Sequence, residues 1–238
     1  SDGRIDFRDE DCFISGDALY RSATGQPTIP VGTITIQETK APVGYQLDSN
    51  VKLVKITGDG TKGQEFDAIK FSNKVIAGGV KVYKYDLELG KNTPQGDAIL
   101  SGARFQIENT SANPVKVNGK EYGNGEVVDI IETNEQGIAE TPANWLPFGT
   151  YHIREILPPT GYLNTGIIEA DFMISENGQV VVITDDQAIQ NNVIRGGVKL
   201  QKRDFETKED KPQGSATLQG AVFEIVNKSA NPVLVEGT

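Results

Sequence analysis

The feature that most constrains this chain is an internal repeat of domain length. Residues 78–119 (GGVKVYKYDLELGKNTPQGDAILSGARFQIENTSANPVKVNG) and residues 196–237 (GGVKLQKRDFETKEDKPQGSATLQGAVFEIVNKSANPVLVEG) align without a gap at an offset of 118 residues. PVGTITIQETKAPVGY at 30–45 aligns with PFGTYHIREILPPTGY at 147–162, and NKVIAGGVK at 73–81 aligns with NNVIRGGVK at 191–199. A period this long marks whole domains in tandem rather than solenoid units. The spacing predicts a partial repeat at 1–77 lacking its first strands, a complete repeat at 78–195, and a partial repeat at 196–238 lacking its later strands. The two partial copies break at nearly the same point, as expected of a window cut from a longer array.

Within the repeat, short alternating runs predominate. Val80–Lys84, Thr150–Glu155 and Val180–Ile183 read as strands. Asn124-Gly125, Glu135-Gln136-Gly137, Pro158-Pro159-Thr160-Gly161 and Glu176-Asn177-Gly178 read as turns between them. No amphipathic helical stretch of useful length is present. The expectation is an all-β chain of tandem Ig-like sandwiches, about seven short strands to a repeat. The linkers, 75–79 and 193–197, are short enough to favour a stiff string.

Composition narrows the partners. There are 23 Lys and Arg against 33 Asp and Glu, a net charge of −10, which disfavours nucleic acid and anionic membranes. No apolar run is long enough to span a bilayer, and the first residues show no signal-peptide pattern. Cys12 is the only cysteine, so no intrachain disulfide forms and no Cys-rich metal site exists. Cys12 itself reads as a small buried or partly exposed thiol. No cofactor and no metal ion is called for.

The chemistry comes from strand parity. Side chains two apart on a strand share a face. Lys84 thus shares the face of Val80 and Val82, and its counterpart Lys202 that of Val198 and Leu200. Glu155 lies with Tyr151 and Ile153, and Glu38 with Ile34 and Ile36. Asn191 lies with Ile189, and Asn73 with Ile69 and Phe71. Where the apolar members face the core, an amine, a carboxyl and an amide go inside with them. Such groups are costly to bury unless they satisfy one another. Burial also makes the lysine less basic and the glutamate less acidic. A neutral amine is a nucleophile, and a protonated carboxyl relays protons. Held against the asparagine, the amine can attack Cγ and expel ammonia, one turnover at high effective molarity.

Several motifs carry a family resemblance. ETKAPVGY at 38–45 resembles the glutamate signature of the Cna protein B-type domains, the SpaA-like pilin domains of Gram-positive bacteria. EILPPTGY at 155–162 is a looser version, with Leu-Pro-Pro in place of Lys-Ala-Pro. VYKYD at 82–86 and LQKRD at 200–204 are similar to the family's first-strand lysine motif, and NKVIAGGV at 73–80 to its closing asparagine. The resemblance covers essentially the whole chain. It implies a prealbumin-like β-sandwich whose lysine and asparagine become joined by an isopeptide bond, with the glutamate assisting. Residue by residue, it assigns Lys84, Glu155 and Asn191 to the complete repeat, with Asn192 as the alternative acceptor. It assigns Glu38 and Asn73 to the leading copy and Lys202 to the trailing copy, both sets incomplete.

The function expected from this is a structural stalk or shaft module of a bacterial cell-surface adhesin or pilin, extracellular and on the cell wall, and not a turnover enzyme. Its partners are neighbouring repeats, with a host matrix protein or glycan bound through domains outside this chain. The alternative is that the repeats themselves bind such a ligand; Trp145, which has no counterpart in the leading copy, is the residue that leaves it open. A further expectation is head-to-tail self-association, the trailing lysine strand of one chain completing the leading Glu38–Asn73 copy of another. His152 has Thr35 as its counterpart and reads as a surface strand residue. Leu146–Thr150 reads as a turn into a strand rather than a sorting signal. Asp171, Asp185 and Asp186 lack the regular spacing of a calcium loop. Asn109-Thr110-Ser111 and Asn227-Lys228-Ser229 match the glycosylation sequon but carry little weight alone.

Overall fold

The computed structural model describes residues 20–25, 27–58, 69–183 and 189–235. Cys12, Asp185 and Asp186 lie outside the described residues. The chain divides into two compact units, Ser1–Lys74 and Val75–Thr238.

In the first unit, β1 (Tyr20–Arg21) pairs with β2 (Pro27–Thr28), and β3 (Gly32–Gln37) pairs antiparallel with β4 (Val51–Ile56). Ile34, Ile36 and Glu38 are half-buried and alternate with exposed Thr33, Thr35 and Gln37, the alternation expected of a strand with one covered face. The expected strand through Ile69, Phe71 and Asn73 is not formed; residues 69–74 are irregular. A strand needs a ladder partner for its backbone groups. The described residues of this unit contain no long first strand for the segment to pair with.

The second unit holds the complete repeat. Its strands are β5 (Ala77–Asp86), β6 (Arg104–Asn109), β7 (Val115–Val117), β8 (Lys120–Tyr122), β9 (Val127–Glu132), β10 (Ile138–Glu140), β11 (Leu146–Pro147), β12 (Gly149–Leu157), β13 (Tyr162–Ile167), β14 (Glu169–Ile174), β15 (Val180–Ile183) and β16 (Ile189–Val193). One sheet is built around β5. It pairs antiparallel with β10 and β11 and parallel with β15 and β16, and β16 pairs in turn with β13. The facing sheet runs β14-β12-β6-β9, antiparallel throughout. Strands outnumber the seven expected because several ladders are only two to four residues long, as in β7, β8, β10, β11 and β15. The described residues contain no helix. The architecture is the expected all-β sandwich.

The core lies between the two sheets. Val80 and Val82 from β5 meet Phe105 and Ile107 from β6, and Tyr151 and Ile153 from β12, all fully buried. Tyr151 stacks on Phe172 with ring centroids 5.4 Å apart, inside the separation at which aromatic pairs add stability beyond their buried area. Gly78 and Gly79, expected in a linker, instead belong to β5 and are buried. A Cβ on Gly78 would stand 2.6 Å from the Gln179 carbonyl oxygen, and one on Gly79 2.5 Å from that of Pro142. The Gly-Gly pair is therefore a close-approach site that lets the backbone just after β10 and just before β15 crowd the start of β5.

Residues 196–235 contain turns but no strand. Val198 and Leu200, expected on a core-facing strand, are 78% and 54% exposed. The short-range turn chemistry is nevertheless the same as in the complete repeat. Asp86 Oδ1 accepts from the backbone N–H of Glu88 and Leu89, and Asp204 Oδ1 accepts from Glu206 and Thr207. Turns close on neighbours in sequence. The partners of β5, in contrast, come from residues 138–193, whose counterparts are not among residues 196–235.

Candidate functional site

Three strands bring three polar side chains into the core. Lys84 sits on β5, whose alternation buries Val80, Val82, Lys84 and Asp86 completely. Glu155 sits on β12 after Tyr151 and Ile153 and is 1% exposed. The β12–β6 register shifts between Glu155 and Leu157. That bulge ends the regular ladder beside the carboxyl, and bulges commonly re-aim side chains next to reactive sites. Asn191 sits on β16 after Ile189, both with no exposed surface. The parallel β5–β16 register sets Lys84 opposite Ile189 and Asp86 opposite Asn191. Lys84 and Asn191 are thus diagonal neighbours on one face, a separation that a four-carbon stem can cross.

The carboxyl lies between the other two groups. Asn191 Nδ2 donates to Glu155 Oε2 at 2.7 Å, and Lys84 Nζ stands 3.8 Å from Glu155 Oε1. The lysine is steered by its donation to the Ile189 carbonyl at 3.1 Å. Among the described residues, Glu155 Oε1 and Asn191 Oδ1 are buried with no hydrogen-bond partner. Unsatisfied oxygens of this kind are expensive in a core. Asn192 turns the other way, is partly exposed, and gives its amide to Thr165 Oγ1 at 3.1 Å.

Burial sets the protonation of the pair. It pulls the Lys84 ammonium down from its ordinary 10.5 to about 8, against the opposing pull of Glu155 and Asp86. It pushes the Glu155 carboxyl up, against the opposing pull of Lys84 and Asn191. Both shifts favour the uncharged forms. The ion pair and the neutral amine–acid pair differ only by one proton moved across the 3.8 Å gap.

A second buried cluster supports β5. Asp86 accepts from Tyr162 Oη at 2.9 Å and from Gln95 Nε2 at 3.1 Å to each carboxylate oxygen, as well as from the two turn amides. Burial and the adjacent Asp86 carboxylate push the Tyr162 phenol well above its ordinary range. Sequence reasoning assigned no role to Asp86, Gln95 or Tyr162. The signal was present in two places: Asp86 has the parity of Lys84, and Gln95 recurs as Gln213 in the repeated Pro-Gln-Gly.

The leading copy keeps two members of the trio. Asn73 Nδ2 donates to Glu38 Oε2 at 2.5 Å and to the Gln46 carbonyl at 3.0 Å, both residues being half-buried. Lys202, in the trailing copy, is exposed and outside any strand. Trp145 packs partly buried against the core and donates its indole N–H to Asp129 at 2.7 Å. His152 lies on the β12 face opposite Glu155, with Nδ1 2.7 Å from Asp171. Asn109, the first sequon asparagine, is fully buried and spends its amide on the Asn113 and Tyr122 carbonyls. No cluster of metal-ligating side chains occurs among the described residues. Among them, no helix is long and apolar enough to cross a membrane.

Comparison with known proteins places the chain in a family. No curated protein matches the chain. Among solved structures, the Bacillus anthracis TIE protein is similar at 25% identity and a TM-score of 0.50, over 73% of this chain and 28% of that one. A streptococcal ancillary pilin is similar at 22% identity and a TM-score of 0.34, over 75% of this chain and 48% of that one. BcpA, the major pilin subunit of Bacillus cereus, is similar at 23% identity and a TM-score of 0.36, over 67% of this chain and 41% of that one. The chain therefore spans between about a quarter and a half of the length of these structures. The model of the SpaA prealbumin-like fold domain matches residues 18–69 and 85–188. These spans include Glu38 and Glu155 and stop short of Asn73, Lys84 and Asn191, so the match does not bear on how the three side chains are grouped. With well over half of its residues matched, and with the two-sheet sandwich just described, the chain belongs to the family of SpaA prealbumin-like fold domains.

Proposed function

We propose that the complete repeat is a shaft module of a Gram-positive cell-surface pilin or adhesin, and that it locks itself with an isopeptide bond between Lys84 and Asn191. The observation that carries this reading is that one buried carboxyl reaches both the nucleophile and the leaving group. Glu155 Oε1 is 3.8 Å from Lys84 Nζ, and Glu155 Oε2 is 2.7 Å from Asn191 Nδ2.

The chemistry follows from that bridge. Desolvation makes the neutral amine accessible near neutral pH. Its lone pair attacks Asn191 Cγ, forming the new C–N bond as the carbonyl electrons move onto Oδ1. Glu155 takes one proton from Nζ and passes one to Nδ2. The tetrahedral centre collapses, the Cγ–Nδ2 bond breaks, and Nδ2 leaves as ammonia. One amine and one primary amide become one secondary amide plus ammonia, with no oxidant and no cofactor. The product consumes its own reactants, so Glu155 acts once per molecule and the module is structural.

The mechanical consequence lies in the sheet. β5 opens the repeat and β16 closes it, and the two are parallel neighbours. A bond between them closes a loop of roughly 100 residues, which stabilises by about 4–5 kcal/mol on the chain-entropy model. It also removes the path by which tension separates the first strand from the last, so the gain under load is kinetic. The binding-module reading draws no support from Trp145, whose indole N–H is committed to Asp129. Digestion of the denatured chain followed by fragment mass analysis tests the assignment. The expected product is a branched peptide joining Lys84 to Asn191; linear peptides carrying both residues unmodified would refute it.

A further inference from the structure

Residues 229–234 of the trailing repeat lie against the loop 95–98 of the complete repeat. Gly96 N donates to the Pro232 carbonyl at 3.2 Å, and Asn231 N donates back to the Gly96 carbonyl at 3.0 Å. Asn231 Nδ2 reaches the same Gly96 oxygen at 2.9 Å. Ala230 N donates to Asp97 Oδ1 at 3.2 Å, and Leu234 N donates to Gln95 Oε1 at 2.8 Å. Arg195, at the junction of the two repeats, ties both sides. Its Nε donates to Glu88 Oε1 at 2.9 Å and its Nη2 to the Leu234 carbonyl at 2.9 Å.

Both halves of this contact are shaped in advance. The incoming segment is held by its own asparagine: Asn227 Nδ2 donates to the Asn231 carbonyl at 2.9 Å, and Ser229 N donates to Asn227 Oδ1 at 2.9 Å. The same turn stands at Asn109–Asn113 of the complete repeat. The receiving loop is held by Gln95, whose Nε2 is fixed by Asp86 and Glu88 while its Oε1 takes the Leu234 amide. Gly96 is left-handed, with φ of 59°, a conformation that side-chain-bearing residues rarely adopt, and Val233 and Ser229 lie at ordinary contact distance from it. The trailing repeat carries the same receiving loop. Gln213 is held by Asp204 and Glu206, and Gly214 is left-handed with φ of 54°.

A segment that forms no strand of its own has three backbone donors and one side-chain amide satisfied by the neighbouring repeat. Reciprocal main-chain bonds fix direction as well as distance, whereas a free linker would leave these donors to water. We propose that this seam is the joint between consecutive repeats, residues 229–234 of one repeat seating on the 95–98 loop of the repeat before it and holding the two in a fixed orientation. The occupant is the next repeat of the same chain, and the seam adds to the stiffness that the short linker favours.

Amide hydrogen exchange on the full chain tests the joint. In the wild type, Gly96, Asn231 and Leu234 are expected to exchange far more slowly than an unstructured chain. Asn231→Ala removes a side-chain bond outside the sandwich, and is expected to speed Gly96 exchange about five- to tenfold. Exchange at Ile107 and Ile153 should stay unchanged, as should any loss of ammonia, so the joint and the isopeptide bond stand or fall separately. Exchange of Gly96, Asn231 and Leu234 at unstructured rates in the wild type would overturn the proposal, as would a Gly96 rate indifferent to Asn231→Ala.

Discussion

Asn191 gives its side-chain N–H to Glu155 at 2.7 Å, and in the leading copy Asn73 gives its own to Glu38 at 2.5 Å. The acid–amide contact therefore forms twice in the chain, once with a buried lysine beside it and once with none described. In both copies the carboxyl stands on the amide nitrogen that the proposed reaction would expel, and only in the complete repeat is the lysine that the proposal requires beside it.

If Glu155 moves the proton, replacing it should stop bond formation without unfolding the repeat. Glu155→Gln keeps the shape of the side chain and its contact with Asn191 but cannot shuttle a proton. The expected mass of purified E155Q is the full sequence mass, with near-native circular dichroism. E155Q that still loses ammonia would remove the carboxyl from the mechanism.

Stability should separate the bond from the packing. Lys84→Met fills the same tunnel with an apolar chain and forms no bond. Relative to wild type, K84M is expected to lose a few kcal/mol, of the order given by closure of a roughly 100-residue loop. The loss should appear mainly as faster unfolding and faster proteolysis. Chemical denaturation, with unfolding rates measured alongside, provides the check; equal unfolding rates for K84M and wild type would contradict it.

The pH dependence carries a definite sign. In Asn191→Ala the acceptor is gone and Lys84 remains a titrating amine. Its folded pKa is lowered to about 8 from an ordinary 10.5, so between those values the unfolded chain holds more protons than the folded one. Stability of N191A should therefore rise with pH from about 8 towards 9.5, by at most about 1.4 kcal/mol per pH unit. In wild type with the bond formed, Lys84 no longer titrates and this slope should be missing. Tyr151 and Tyr162, both pushed above their ordinary range by burial, contribute to both proteins and cancel in the difference. Parallel slopes for N191A and wild type would mean that Lys84 is unmodified in both.

Asp86 is expected to matter for the fold as much as the trio does. Asp86→Ala would strand the Tyr162 hydroxyl in the core, leave the Gln95 amide with Glu88 alone, and release the two turn amides after β5. Stranded buried donors cost about 1–3 kcal/mol each. D86A should therefore unfold at a clearly lower denaturant midpoint, with the m-value of a two-state transition retained. An unchanged midpoint would show that the cluster is not the anchor of β5.

Much of this was legible in residues alone, because the argument was local. Parity along Val80–Val82–Lys84, Tyr151–Ile153–Glu155 and Ile189–Asn191 needs only the two-residue period of a strand, and all eight side chains are buried. The same parity did not carry over to Val198–Leu200–Lys202 or to Ile69–Phe71–Asn73. Whether such a run becomes a strand depends on partners far away in sequence, which parity does not register. Gly78 and Gly79 were misassigned for a related reason. A glycine pair looks like a linker until the Gln179 and Pro142 carbonyls are seen pressing on it. The Asp86–Gln95–Tyr162 cluster joins three distant segments, and no period along one strand encodes it.

The central claim meets its most direct test in the intact mass of the folded, wild-type chain measured after denaturation and reduction. The expected mass is one ammonia below that of the sequence. A mass equal to that of the sequence, in protein shown to be folded, would contradict it.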